Sequence, residues 1–256
     1  MSPNLHSHPL FETLRALVTR AGSLIGALGI FLVGGIIVAA IGTFLFAELA
    51  KHVMSGGTQA FDEAALRWIG NHHSPALDDA MLEITALGTS TVVIMIVCVS
   101  GLFLSLTKHK YSALLLLVAT IGGSLLDTVL KLQFGRPRPH VFTWGTHAAM
   151  SSFPSGHAMS ATIVYSTVAY LAARLQKRLW ARWATMLLAA MIIVMIAFSR
   201  MYLGVHYPSD VLAGAIVGLS WAAFCMATLE AIQRFAQRHA PAVKKDETPA
   251  PPAEKG

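Results

Sequence analysis

Six stretches of this chain are apolar over lengths that suit lipid better than water. They cover residues 23–46, 82–106, 112–132, 157–173, 183–202 and 209–230. A helix rises about 1.5 Å per residue and a bilayer core is about 30 Å thick, so roughly 20 apolar residues cross it. One such run fits a buried helix of a water-soluble protein, but six in one chain do not. Composition agrees: 55% of residues are hydrophobic and 12% are charged, about half the charged share of a typical soluble domain. The expected fold is all-α, a polytopic membrane protein built as a six-transmembrane-helix bundle. Residues 1–22 read as a cytoplasmic N-terminal segment, 23–232 as the membrane domain and 239–256 as a disordered cytoplasmic tail rich in Pro, Ala and charge. The run at 23–46 is too long for a cleavable signal, and a mostly polar segment precedes it. Cys98 and Cys225 lie inside apolar stretches and read as small hydrophobes.

Charge placement suggests an orientation. With the N-terminus cytoplasmic, 13 of the 19 lysines and arginines fall on the inner side. The acids Glu48, Asp62, Glu63, Asp78, Asp79, Glu83 and Asp210 lean outward. Both termini are then cytoplasmic, in the cell membrane. The longest outer connection, residues 58–86, alternates apolar and polar residues around Phe61, Leu66, Ile69, Leu77 and Met81. It reads as an outer-face interfacial segment of one or two amphipathic helices, broken near Ser74-Pro75, with Trp68 as a candidate interface anchor.

Three polar clusters interrupt the apolar background. They are Lys131 to Pro139, Pro154-Ser155-Gly156-His157, and Ser199-Arg200 through His206 to Asp210. All fall at helix ends on the predicted outer side, where packing can bring them together. Ionisable groups at membrane depth are costly and are functional candidates for that reason. Lys131, Arg138 and Arg200 would repel one another unless an anion sits between them. Guanidinium groups match phosphate oxygens, and Lys adds a point charge. Ser155 and Gly156 precede a predicted helix start, whose N–H groups favour phosphate. His206 and Asp210 are four apart. A carboxylate bonded to one imidazole nitrogen would leave the other free to attack phosphorus. His157, on another helix, supplies a second acid/base group. Either histidine could be the nucleophile on this evidence, and the Asp210 spacing favours His206. Taken singly, each cluster has a structural explanation: a helix cap, snorkelling cations, an ion pair or a structural histidine. Asp127 lies one helical turn before Lys131, and the spacing predicts an ion pair that fixes it.

These residues resemble the signature of the type-2 phosphatidic acid phosphatase superfamily: K-x6-R-P, then P-S-G-H, then S-R-x5-H-x3-D. Lys131, Arg138-Pro139, Pro154 to His157, Ser199-Arg200, His206 and Asp210 match it at every specified position. The helical layout is similar to its membrane-bound lipid phosphatase branch. The resemblance implies that His206 attacks phosphorus to form a phosphohistidine, that Asp210 orients it, and that His157 protonates the leaving oxygen and later activates water. It implies that Lys131, Arg138, Ser155, Gly156 and Arg200 hold the phosphoryl oxygens, with no cofactor and no metal. The implied partner is a membrane lipid substrate in the bilayer, with no role for nucleic acid. Undecaprenyl pyrophosphate, phosphatidylglycerophosphate, phosphatidic acid and the 1-phosphate of lipid A are the implied substrates. A lipid-to-lipid phosphotransferase using the same site is an alternative, as is a non-catalytic lipid transporter or binding protein. The intact His157, His206 and Asp210 argue against the last. The haloperoxidase relatives are soluble as a rule, unlike this chain.

Overall fold

The computed structural model describes the backbone of residues 9–140 and 151–239, with side chains from 29 to 140 and from 151 to 236. Among these residues every regular element is a helix: α1 (Pro9–Met54), α2 (Gln59–Gly70), α3 (Pro75–Ala86), α4 (Ser90–Leu106), α5 (Lys110–Gln133), α6 (Gly156–Leu175), α7 (Leu179–Tyr202) and α8 (Pro208–His239). Helix α1 starts at Pro9, well before the apolar run, and continues through it to Met54. The reading of the tail at 240–256 lies outside the described residues.

Four helical segments are long and apolar enough to cross a membrane: Gly29–Met54, Lys110–Gln133, Leu179–Tyr202 and Pro208–Ala236. The bent pair α3 and α4, meeting at 47°, makes up to five. The expected run at 82–106 is therefore two helices. The break carries a physical signature. Thr89 Oγ1 turns back onto the Ala86 carbonyl at 2.7 Å, and a Cβ on Gly88 would sit 2.7 Å from Ile196 Cγ2. The expected span at 157–173, α6, is not among these crossing segments, and Ser160, Thr162, Ser166 and Thr167 interrupt its apolar run. It packs against α4, α5, α7 and α8, and Ala158, Ala161, Ile163, Val164 and Thr167 along it are buried. Its surroundings are protein, so its own polarity meets little lipid.

Close helix approach sets the bundle. At Gly218 of α8 an added Cβ would lie 2.8 Å from the Met159 carbonyl of α6, and at Gly42 of α1 it would land on Ser220 of α8. Small residues at such crossings let backbones touch, the usual route to packing where lipid gives no hydrophobic drive between helices. Met159, Ile163 and Leu116 fill the centre. Large apolar side chains such as Ile36, Leu125, Leu187 and Val194 cover the outside. That inversion of a soluble surface suits a chain solvated by hydrocarbon.

The segment at 58–86 forms two helices, with Ser74 capping α3 by accepting from Leu77 N at 3.4 Å and Pro75 at its first position. Their sides differ from a simple amphipathic reading. Asp62, Leu66 and Ile69 point inward while Phe61 and Trp68 are exposed.

Candidate active site

Local structure explains how the third cluster is presented. Helix α7 ends through Gly204, whose φ of 64° lies in the left-handed region open to glycine. Val205 N and His206 N both reach back to the Arg200 carbonyl, at 3.2 and 3.3 Å. This tight reversal places His206 beside the start of α8. There Asp210 accepts from Tyr207 N at 2.9 Å, and Asp62 of α2 accepts from Ser209 N at 3.0 Å. Two carboxylates thus satisfy N–H groups that the first turn of α8 leaves without helical partners.

His206 is 2% exposed. Its Nδ1 lies 2.8 Å from the Ser152 carbonyl, an acceptor that fixes the proton on Nδ1 and leaves the lone pair on Nε2. Arg138 Nη1 lies 3.4 Å from that Nε2 and donates to the Val205 carbonyl at 2.9 Å. The expected direct carboxylate–imidazole bond is not made. Asp210 Oδ2 is 3.7 Å from Nδ1, too far for a hydrogen bond. Asp210 instead accepts from the hydroxyl of Ser152, the residue whose carbonyl meets His206 Nδ1. Burial lowers the His206 pKa against the opposing pull of Asp210, which keeps the imidazole neutral. Burial likewise lowers that of Arg138, with Asp210 opposing.

The other expected residues gather around this point. Ser155 is the N-cap of α6, accepting from Ala158 N at 3.5 Å, and its own N–H is tied to the Asp210 carbonyl at 2.9 Å. Gly156 opens the helix, and a Cβ there would strike Lys131 Nζ. Lys131 donates to Asp127 at 2.8 Å, as the spacing predicts. Arg200 donates to Thr85 Oγ1 of α3 at 2.7 Å. Arg200, His206, Lys131 and Arg138 all lie within electrostatic reach of His157. The Nε atoms of Arg138 and Arg200 are buried without a hydrogen-bond partner among the described residues. Buried donors in that condition suit an anion with several acceptor oxygens.

Sequence reasoning missed the support beneath the site. Arg136, 7% exposed, donates to Asp210 at 2.5 Å, to Ser209 at 2.8 Å and to Asp62 at 2.8 Å. Its guanidinium also lies 4.2 Å from the centre of the Tyr207 ring. Asp62 is fully buried and accepts from Ser209 Oγ as well. This ties α2, the start of α8 and the chain after α5 into one ionic knot. The inward placement of Asp62 between Phe61 and Leu66 was its one sequence signal, an acid at a position whose period matches the buried face. Thr85 and Ser152 carried none.

Comparisons with known proteins follow the same lines. The model of the PAP2 superfamily matches residues 112–234, the stretch that holds all three clusters. Phosphatidylglycerophosphatase B of Bacillus subtilis (strain 168) is 33% identical over 197 residues, covering 75% of this chain and 95% of that protein. An undecaprenyl-diphosphatase of Sulfolobus acidocaldarius is 27% identical over 194 residues, covering 73% of this chain and 88% of its own. The crystal structure of a transmembrane PAP2-type phosphatidylglycerolphosphate phosphatase from Bacillus subtilis superposes with a TM-score of 0.70 at 29% identity, covering 80% of this chain and 98% of that one. With a relative of that identity aligned over nearly its whole length, the chain belongs to the PAP2 superfamily and is an enzyme of its membrane-bound lipid phosphatase branch.

Proposed function

We propose that this enzyme removes phosphate from a lipid phosphate ester or diphosphate through a phosphohistidine on His206. The observation that carries the reading is the buried imidazole: Nδ1 is held by the Ser152 carbonyl and Nε2 faces Arg138. A neutral ring with its lone pair aimed among cations is what a phosphorus nucleophile requires. The phosphoryl oxygens lie among Arg138, Arg200, Lys131 and the N–H groups that open α6 at Ser155 and Gly156, which concentrate positive charge where the transition state is most negative.

The steps balance as follows. The Nε2 lone pair forms a bond to phosphorus, and the bond to the leaving oxygen breaks in line with it. His157 gives its proton to that oxygen. The bound phosphate anion favours the protonated imidazole beforehand. Water then attacks the phosphohistidine, His157 takes its proton, the Nε2–P bond breaks and inorganic phosphate departs. Asp210 and Ser152 keep the tautomer. The candidate substrates are phosphatidylglycerophosphate, phosphatidic acid and undecaprenyl diphosphate, whose head groups would reach the site while the tails stay in the bilayer.

In this reading α6 crosses the membrane inside its ring of neighbours, and α3 with α4 gives the remaining crossing, for six in all. The same reading has both termini in the cytoplasm and the site at the outer face, with α2 and α3 on that side, supported by the excess of lysine and arginine in the segments assigned to the inside. The test is purified protein in detergent with a panel of lipid phosphates. Inorganic phosphate should appear, and His206→Ala should abolish it. Absence of release from every lipid, or full turnover by His206→Ala, overturns the proposal.

A further inference from the structure

A cavity of about 350 Å³ lies between α4, α5 and α6, beside the phosphate cradle. Lys131, Gly156 and His157 line it on one side. Hydroxyl groups of Ser90, Ser124, Thr128 and Ser160 line much of the rest. Ser90, Ser124 and Thr128 are exposed on the outer surface of the bundle, so the cavity opens sideways rather than along the helix axis. His206 is not among its walls. An in-line displacement expels the leaving oxygen on the side away from the nucleophile. The cavity holds His157, which protonates the leaving oxygen in the steps proposed above, and not His206.

Its charge is unusual for a site beside phosphate. Among the described residues the charged lining groups are Asp127 and Lys131. They pair at 2.8 Å through Oδ2, so the carboxylate already engages the ammonium on the cavity side. The other carboxylate oxygen, Asp127 Oδ1, is buried and has no hydrogen-bond partner among the described residues. A buried acceptor of this kind is matched by a hydroxyl donor and opposed by an anion. The arginines that neutralise the transferring phosphoryl group, Arg138 and Arg200, do not line the cavity. A second phosphate on the leaving group would meet the Asp127 carboxylate, beside a lysine already paired to it and a His157 that gives its proton to the leaving oxygen.

Building on the phosphatase reading above, we infer that this cavity is the leaving-group subsite and that Asp127 is a specificity-determining residue within it. It selects lipid monophosphate esters, whose leaving group is an uncharged alcohol, against lipid diphosphates, whose leaving group is itself a phosphate. Hydroxyls on the leaving alcohol, such as those of a glycerol, find the partly exposed Asp127 carboxylate as acceptor. Discrimination arises from a repulsive group placed against the wrong substrate as well as an attractive one for the right substrate.

The experiment compares farnesyl phosphate with farnesyl diphosphate, which share one tail, on wild-type protein and on Asp127→Asn. Asparagine keeps an acceptor oxygen and removes the charge. The ratio of kcat/KM for diphosphate to that for monophosphate should rise by about tenfold or more in Asp127→Asn, the size of one lost charged contact. A purely structural role would lower both substrates together and leave the ratio unchanged, and that result overturns the inference. If Asp127→Asn does not accumulate as folded protein, the wild type decides. Diphosphate is intrinsically the easier bond to break, so a wild-type preference for the monophosphate supports the subsite, and an equal or greater rate on the diphosphate overturns it. Should the wild type release phosphate from neither these nor phosphatidylglycerophosphate, the phosphatase reading itself has failed, a distinct outcome.

Discussion

The two ends of the bundle carry similar ionic chemistry in different surroundings. At one end Arg136 bridges Asp62 and Asp210, with side chains 6%, 0% and 0% exposed. At the other, Glu230 bridges Arg174 at 3.1 Å and Arg234 at 3.0 Å, with Arg174 and Arg234 35% and 46% exposed. Distances barely separate the two triads, but burial does. In the first, each partner has given up its water and depends on the others, so removal of one strands a buried charge. In the second, water and salt compete for every contact. The charges of the buried triad are structural commitments, whereas those at the far end are replaceable.

Removing one arginine from each triad separates the two most widely. Arg136→Ala should cost about 3–5 kcal/mol of stability by stranding Asp62 and Asp210. Arg174→Ala should cost about 0–1 kcal/mol. Chemical denaturation in a fixed detergent measures both, and equal losses would dissolve the distinction. Next in size is function. Arg200→Ala should lower kcat by about 10²–10³-fold, as for loss of one preorganised donor to a developing oxyanion. Arg234→Ala, at the far end, should leave turnover unchanged; steady-state phosphate release separates the two.

Smaller still is the effect of shape. Gly156→Ala puts a methyl on Lys131 Nζ and should cost about 1–3 kcal/mol of overpacking, seen as weaker substrate binding. Ala231, also buried but away from the site, offers a control: Ala231→Gly should reduce stability by about 1 kcal/mol and leave KM unchanged. The gentlest test is pH. Burial lowers the pKa of His206, so the neutral imidazole persists as pH falls past the ordinary histidine value of about 6.5. Activity should decline only below that value. Stability follows the same sign: the contribution of neutral His206 is complete above about pH 6.5 and is lost as pH drops towards the lowered value in the fold. An acid limb of the kcat/KM profile centred above 6.5 would contradict the buried, neutral ring.

Much of this could be read from residues in order, because the signals were local. The Lys131–Asp127 pair follows from one helical turn, the break at Ser74-Pro75 from capping chemistry, and the site clusters from their rarity in apolar surroundings. The rest depends on distance along the chain or on anonymous groups. Asp62 and Arg136 are far apart in sequence, and each alone reads as an outer charge. The acceptor for His206 Nδ1 is a backbone carbonyl of Ser152, which no residue type announces. Apolarity reports contact with lipid, so it understated α6, which is walled by protein, and it merged α3 with α4 across a bend made by packing at Gly88.

The central claim is the phosphohistidine on His206. Rapid quenching of the enzyme with phosphorus-labelled phosphatidylglycerophosphate, followed by peptide mapping under alkaline conditions that preserve phosphohistidine, tests it most directly. The account predicts label on the peptide containing His206, accumulation of that label in His157→Ala, where the water step lacks its base, and none in His206→Ala. Label on His157 instead, or phosphate release by His206→Ala at the wild-type rate, would contradict it.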